Sequence, residues 1–144
     1  MIKMEKLEQE NLFITFKGVI ESIIADKRKN PKNRELIDNF KIKLNIGLQV
    51  TKDFYLWVNV IAEKGIYSVS KGKLTEYDLE VMASPEDMLY FSNGEYSTLH
   101  MMFKKNRFGY RKLRFTKSSY GKRNLGLLMK LSKILVLDKI KPPK

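Results

Sequence analysis

The side chains best suited to acid–base chemistry are His100 and the adjacent carboxylates Glu86 and Asp87. A histidine titrates near neutral pH, and a pair of carboxylates can divide the roles of acid and base. His100 has no titratable neighbour in its local sequence, which predicts a structural or exposed imidazole. The two acids follow Ser84-Pro85, an order typical of a helix N-terminus. Capping therefore explains both acids without catalysis.

Other segments contain the residue types of nucleophilic and phosphate-binding sites, but not their spacing. Ser118-Ser119-Tyr120-Gly121 lacks the G-x-S-x-G pattern of a nucleophile elbow. Residues 121–126 open a basic helix that could hold a phosphate at its N-terminus, but they do not form a Walker loop. The chain has no cysteine and one histidine, which excludes disulfides, thiolate nucleophiles and multi-histidine metal sites. We therefore expect no catalytic residue, no metal, no cofactor and no enzymatic activity.

The positive charge is concentrated towards the C-terminal end of the chain. The net charge is +12, yet residues 1–103 hold 14 Lys and Arg against 15 Asp and Glu. Residues 104–144 hold 14 Lys and Arg and a single acid, Asp138. Such asymmetry predicts an anionic partner. The candidate contact residues are Lys104, Lys105, Arg107, Arg111, Lys112, Arg114, Lys122 and Arg123.

Two partners fit this basic segment, and plain solvation of a charged surface is a third explanation. Lys and Arg can dock on anionic lipid headgroups, with about 1 kcal/mol from each residue near the surface. The same residues alternate with Phe108, Tyr110 and Tyr120, and aromatic rings among cations are typical of sites for single-stranded nucleic acid. A nucleic-acid-binding protein that uses residues 104–123 is therefore the alternative hypothesis.

The N-terminal region, residues 1–39, is predicted to form two helices. Apolar residues recur at three- and four-residue spacing from Leu12 to Ile24, which gives one apolar face to a helix over residues 5–29. Pro31 ends that helix and begins a short one that extends to Asn39. The apolar face could pack on its own domain or on a second copy, so a homodimer stays open.

The middle of the chain is predicted to form a sheet. Apolar and polar residues alternate along four segments, which are 40–50, 54–62, 66–70 and 77–83. Because their connections are short, we predict an antiparallel β-meander over residues 40–83. The remaining elements are short helices over 84–106, a last strand over 107–117 and a C-terminal helix over 121–138. The prediction is a single α+β domain, residues 1–144, with an antiparallel five-stranded sheet covered by helices.

The C-terminal helix has a wide apolar arc and a narrow polar stripe that contains Lys122, Lys130 and Lys133. Such a helix is buried over most of its surface, or lies between the core and a lipid. A helix that enters a nucleic-acid groove needs a polar exposed face, which this helix lacks. Lipid binding is therefore favoured, and nucleic acid is the less favoured partner.

One stretch combines several local motifs. Asp78–Leu89 has the pattern of a strand followed by a capped helix, and Ser92-Asn93-Gly94 is expected to end that helix. These motifs, with the order of the elements from Asn30-Pro31 to the last helix, resemble the sterol carrier protein type 2-like lipid-transfer family. The chain departs from the family in having Gly94-Glu95 for the usual Gly-Lys, and in a longer, more basic approach to the last strand.

The resemblance implies an apolar cavity between the sheet and the C-terminal helix, closed by that helix, which holds a sterol, fatty acyl or isoprenoid chain. Burial of such a chain is favourable by about 0.8 kcal/mol per CH₂, so an apolar lining suffices. The predicted lining comes from the sheet, the short helices and the C-terminal helix: Leu44, Ile46, Val58, Val60, Leu79, Val81, Met88, Phe91, Met102, Phe103, Leu125, Leu128, Met129 and Leu135.

We therefore expect a non-enzymatic lipid carrier that docks on anionic membranes through its basic C-terminal region. Its partners would be a lipid ligand and a peripheral membrane surface. No apolar run approaches the roughly 20 residues of a transmembrane helix. Residues Met1–Glu5 do not resemble the apolar core of a signal sequence, so a cytoplasmic location is the expectation.

Overall fold

A computed structural model of the chain describes residues 5–138; residues 1–4 and 139–144 of the predicted domain lie outside this range. The helices are α1 Lys6–Arg28, α2 Pro31–Asn39, α3 Pro85–Ser92, α4 Thr98–Phe103 and α5 Leu125–Leu135. The strands are β1 Ile42–Gln49, β2 Tyr55–Glu63, β3 Ile66–Lys71, β4 Leu79–Ala83 and β5 Arg114–Thr116. The last strand and the last helix are both shorter than the predicted 107–117 and 121–138.

The helix starts follow from local capping. The Asn30 side chain accepts a hydrogen bond from the Lys32 backbone at 3.1 Å, and Pro31 occupies the first turn of α2. Ser84 does the same for α3, where its Oγ accepts from the Asp87 N–H at 3.1 Å. The predicted starts of both helices are confirmed.

The sheet is mixed, so the predicted antiparallel meander is wrong at one connection. The strand order is β3-β2-β1-β4-β5; β1 and β4 run parallel, and the other three pairs are antiparallel. The chain leaves β3 at one edge, crosses β2 and β1, and adds β4 beside β1. Asn45 on β1 holds the crossing segment through two hydrogen bonds with the Leu74 backbone, at 2.8 and 3.0 Å. The crossover gives β1, which is buried on both faces, two neighbouring strands.

A tight turn joins β2 and β3, in line with the short connection expected between these two segments. Lys64 and Gly65 have φ angles of +52° and +78°. Two consecutive residues with positive φ are the geometry of a two-residue turn that matches the twist of antiparallel strands. This geometry fixes the register in which Val60 faces Val69.

The helices cover one face of the sheet and form the core with it. Leu44, Ile46 and Leu48 of β1 have no exposed surface, and Ile134 of α5 is equally buried. The α1 helix contributes Phe13, Ile20, Ile23 and Ile24, so its apolar face packs on its own chain. The opposite face of the sheet is covered by loops and holds a polar network, in which Gln49 Oε1 accepts from Asn106 Nδ2 and from the Arg114 guanidinium.

Candidate functional site

An apolar groove of about 280 Å³ lies between α1 and α3 and ends at α5. Nine of its twelve lining residues are apolar. The α1 side contributes Leu12, Thr15, Phe16, Val19, Ile20 and Ile23, the α3 side contributes Pro85, Glu86, Met88, Leu89 and Ser92, and α5 contributes Leu135. The groove opens to the surface, since Leu89 on its rim is 54% exposed.

The groove exists because α1 and α3 pack on the core without packing on each other along their whole length. Ile20 and Ile23 of α1 and Met88 of α3 turn inward and form the floor. Leu12, Phe16 and Val19, one or two turns earlier on α1, are only partly buried. Their apolar surface therefore remains available to a ligand.

A short strap of residues 136–138 follows α5 at the end of the groove that Leu135 and Ser92 line. The Leu137 N–H donates to the Ser92 carbonyl at the end of α3, at 2.8 Å. On the other side, the Lys27 ammonium of α1 donates to the Val136 carbonyl at 2.6 Å and to Asp138 Oδ1 at 3.1 Å. The strap thus ties α5 to both helices that form the groove.

The predicted sheet lining lies in the packed core, not on this groove. Leu44, Ile46, Val58 and Leu79 have no exposed surface, Val60 and Val81 are 4% and 2% exposed, and none of the six lines the groove. They belong to one buried apolar cluster together with Leu128 and Ile134 of α5. A lipid contact for these six residues stays a prediction.

The predicted helical lining divides into four groups. Met88 and Leu135 line the groove, while Phe91 and Leu128 are buried in the core. Met102 is partly buried against the core. The remaining three are at the surface, with exposed fractions of 63%, 49% and 45%: Phe103, Leu125 and Met129. The α1 residues of the groove were not predicted as lining, although their regular apolar spacing was the signal that placed them on one face.

Of the eight predicted contact residues, three have polar or charged partners and five are exposed. Lys112 Nζ lies 3.7 Å from Asp87 and over the Tyr96 ring, and Arg114 donates to Tyr55 and Gln49. Burial disfavours the charge of Lys112, but the hydrogen bond to Tyr96 and the Asp87 carboxylate outweigh it and raise the Lys112 pKa. Arg107 pairs with Glu86 at 3.0 Å. The other five of the predicted contact residues are exposed: Lys104, Lys105, Arg111, Lys122 and Arg123.

Three of these exposed cations, Lys104, Lys105 and Arg111, lie on one hairpin, residues 104–112. Lys105 and Arg111 pair across it, which places their side chains on the same face. The Asn106 side chain fixes the turn by accepting from the backbone N–H groups of Phe108 and Tyr110 at 2.9 and 3.1 Å. The hairpin is therefore an ordered part of the fold that presents its cations in fixed positions.

The candidate acid–base residues have structural partners. The His100 ring stacks on Tyr96, with 4.2 Å between the ring centroids. Asp87 accepts a hydrogen bond from the Ser84 hydroxyl and pairs with Lys112. Within residues 5–138, no group of three or more His, Asp or Glu side chains could hold a metal ion. Over the same residues, no helix combines the length and apolar character needed to cross a membrane.

No protein-family model and no curated protein matches the sequence. Solved structures do match the fold. The UbiJ-SCP2 ubiquinone synthesis protein superposes with a TM-score of 0.59 at 10% identity, over 85% of this chain and 93% of that one. The sterol carrier protein domain 2 of Helicoverpa armigera gives a TM-score of 0.55 at 16% identity, over 80% and 83% of the two chains.

The fold is that of the sterol carrier protein 2 domain. A crystal structure of sterol carrier protein 2 agrees, with a TM-score of 0.51 at 11% identity over 82% of this chain and 93% of that one. The predicted resemblance is thus confirmed at the level of the fold. In this sterol carrier protein 2-like domain, the open apolar surface lies between α1 and α3.

Proposed function

We propose that the protein is a non-enzymatic lipid carrier that binds one apolar chain in the groove between α1 and α3. The observation that carries this proposal is a groove of about 280 Å³ with nine apolar residues among its twelve lining residues, open at the surface of the protein. Two of the structural neighbours are named sterol carrier proteins, which is consistent with an apolar ligand. The ligand class is a sterol, fatty acyl or isoprenoid chain.

The groove is large enough for a useful binding energy. A methylene group needs about the room of a water molecule in the liquid, about 30 Å³, so the groove accommodates about nine methylene groups. At about 0.8 kcal/mol for each, their transfer from water contributes about 7 kcal/mol. Association costs several kcal/mol in lost freedom, so the net affinity is moderate and the ligand can leave again, as a carrier requires.

We further propose that the protein docks on anionic membranes through the exposed cations of residues 104–123. Next to them, Leu99 and Phe103 lie one turn apart on α4 and are 65% and 63% exposed, and the Arg111 guanidinium is 5.9 Å from the Phe103 ring centre. An exposed aromatic side chain flanked by cations suits the interface of an anionic bilayer. This role for Phe103 replaces the predicted one in the cavity lining.

The first experiment is native mass spectrometry of freshly purified protein, followed by organic extraction and identification of the lipid. We expect a stoichiometric adduct, and Val19→Trp, which fills the groove, should lose it. Ile14→Trp is the matched control, because Ile14 lies on the same helix, is 56% exposed and does not line the groove. A wild-type protein that carries no lipid and does not bind added decanol or decanoate would contradict the proposal; copurified nucleic acid would favour the alternative partner.

A further inference from the structure

The mouth of the groove contains one charged side chain among the described residues, and that charge is already neutralised. Glu86 stands in the first turn of α3, lines the groove and is 55% exposed. Its Oε1 lies 3.0 Å from a guanidinium nitrogen of Arg107, on the basic hairpin 104–112. The Arg107 side chain is itself 60% exposed. The hairpin therefore brings a cation to the rim of an apolar groove.

The hairpin makes two ion pairs with α3, and they differ in exposure. The inner pair joins Lys112 to Asp87, and both side chains are largely buried, at 14% and 10% exposure. The outer pair joins Arg107 to Glu86 and is open to water. A buried pair is expensive to break, whereas an exposed pair contributes about 0.2–1 kcal/mol and exchanges readily. The inner pair can hold the hairpin in place while the outer pair opens.

We infer that Arg107 binds the anionic headgroup of a single-chain amphiphile whose tail lies in the groove. This inference rests on the proposed function, and it narrows the ligand class from lipids in general to carboxylates or similar anions with an apolar chain. The Glu86 carboxylate occupies the place beside Arg107 that a ligand carboxylate would take. When the ligand enters, its headgroup replaces Glu86 on the guanidinium, which offers several donors in a fixed plane to a carboxylate. Glu86 is thus an internal competitor that lowers affinity for anionic ligands.

Hairpin geometry supports this role, because Arg107 does not depend on a mobile loop for its position. Asn106 precedes it and is fixed through Gln49 of β1, with 3.0 Å between the two side-chain amides. Arg107 also extends over the ring of Phe108, at 4.7 Å from the ring centre. Because the Arg107 side chain is 60% exposed, rotation about its own side-chain bonds can move the guanidinium while the backbone stays in place.

The test compares three ligands with the same ten-carbon chain, decanoate, decanol and decylamine, by isothermal titration calorimetry at low salt. We expect decanoate to bind most tightly. Arg107→Gln should weaken decanoate binding about three- to fivefold, the upper part of the range of an exposed ion pair, and leave decanol binding unchanged. Glu86→Gln should strengthen decanoate by a similar factor. Added salt should weaken decanoate and not decanol, because exposed charges are screened.

Arg111→Gln is the matched control, since it removes the same charge from the same hairpin but Arg111 lies over Phe103 instead of the groove. An equal loss of decanoate affinity in Arg107→Gln and Arg111→Gln would overturn the inference, because only overall charge would then matter. If decanoate and decanol bound equally well and Arg107→Gln changed neither affinity, the inference would also be overturned. The proposed binding of an apolar chain in the groove would still stand. If decylamine bound most tightly, the inference would be wrong, because Glu86 and not Arg107 would then bind the ligand headgroup at the mouth of the groove. If none of the three ligands bound, the proposed function and the inference would both fail.

Discussion

Two apolar interfaces in this protein have the same chemistry and opposite packing. Leu44 of the sheet and Leu128 and Ile134 of α5 belong to one buried cluster, and each is at most 2% exposed. Between α1 and α3, Leu12 and Phe16 leave an open groove. A filled interface contributes stability, whereas an unfilled one leaves apolar surface that a ligand can cover. Apolar composition therefore does not locate a binding site; the site is where the backbone keeps two apolar faces apart.

The largest expected effect is on stability, from a matched pair of leucine truncations. Leu128→Ala should lower the free energy of unfolding by about 2–5 kcal/mol, because it leaves a void in a closed interface. Leu12→Ala removes the same atoms from the open groove and should cost under about 1 kcal/mol, since surface sites are tolerant. Urea denaturation with an unchanged m-value measures both. Equal losses would show that the groove is closed in solution.

The second effect is stabilisation of the folded state by the ligand, and it should show which of the two interfaces binds the ligand. At a free ligand concentration 100 times Kd, a ligand stabilises the folded state by about 2.7 kcal/mol. Leu128→Ala should keep this increment from a lower starting stability. Val19→Trp should lose the increment while the ligand-free protein stays folded. Thermal unfolding with and without decanoate distinguishes the cases; an increment lost in Leu128→Ala and kept in Val19→Trp would move the site to the sheet–α5 interface.

Local signals predicted much of the fold. Alternation identified β1 and β2, and Ser84 and Pro31 marked helix starts that the structure confirms. The neighbour of β4 could not be predicted in this way, because alternation defines the two faces of a strand and not its partner. Parallel pairing of β4 with β1 depends on long-range contacts, such as the hydrogen bond from the Asn45 side chain to the Leu74 carbonyl.

The candidate site was harder to predict than the fold, for a related reason. The apolar faces of α1 and α5 look alike in sequence. The local sequence therefore does not predict which of the two faces is covered by neighbouring residues and which borders the groove. Leu128 and Leu135 are both apolar and both on α5, yet only Leu135 also lines the groove. Likewise Phe103 has the residue type of a lining residue but ends α4 at the surface. The pairing of Arg107 with Glu86 joins residues 21 positions apart and follows only from the folded hairpin.

Membrane docking should show a third effect, outside both interfaces. The double variant Lys105→Gln/Arg111→Gln removes two cations from one face of the hairpin and should weaken binding to phosphatidylserine vesicles by about 2 kcal/mol, at about 1 kcal/mol for each residue. Lys32→Gln/Lys64→Gln is the matched control, with the same loss of charge at exposed positions elsewhere. Vesicle sedimentation measures the affinities. The same loss in both double variants would mean that net charge, not this hairpin, determines docking.

The smallest expected effect concerns the strap that joins the two interfaces at the end of α5. Burial raises the pKa of Asp138, but hydrogen bonds from Asn33 and Lys27 and the Lys27 charge outweigh it and hold that pKa below its usual range. Because Asp138 is 44% exposed, Asp138→Asn should cost under about 1 kcal/mol at pH 7. Asp26→Asn, which removes an exposed carboxylate 4.0 Å from Lys29, is the control and should cost less.

The contribution of Asp138 to the free energy of unfolding should fall at low pH. A carboxylate whose pKa is lowered on folding contributes stability that is present above its unfolded pKa of about 3.9 and is lost as the pH falls through the lower folded value. The difference between wild type and Asp138→Asn should therefore be the same at pH 7 and pH 5.5 and decline below about pH 4. Urea denaturation of both proteins across this range measures it. A difference that declined already between pH 7 and 5.5 would assign the strap's stability to another group, and no difference at pH 7 would show that the backbone contact of Leu137 with Ser92 holds the strap without Asp138.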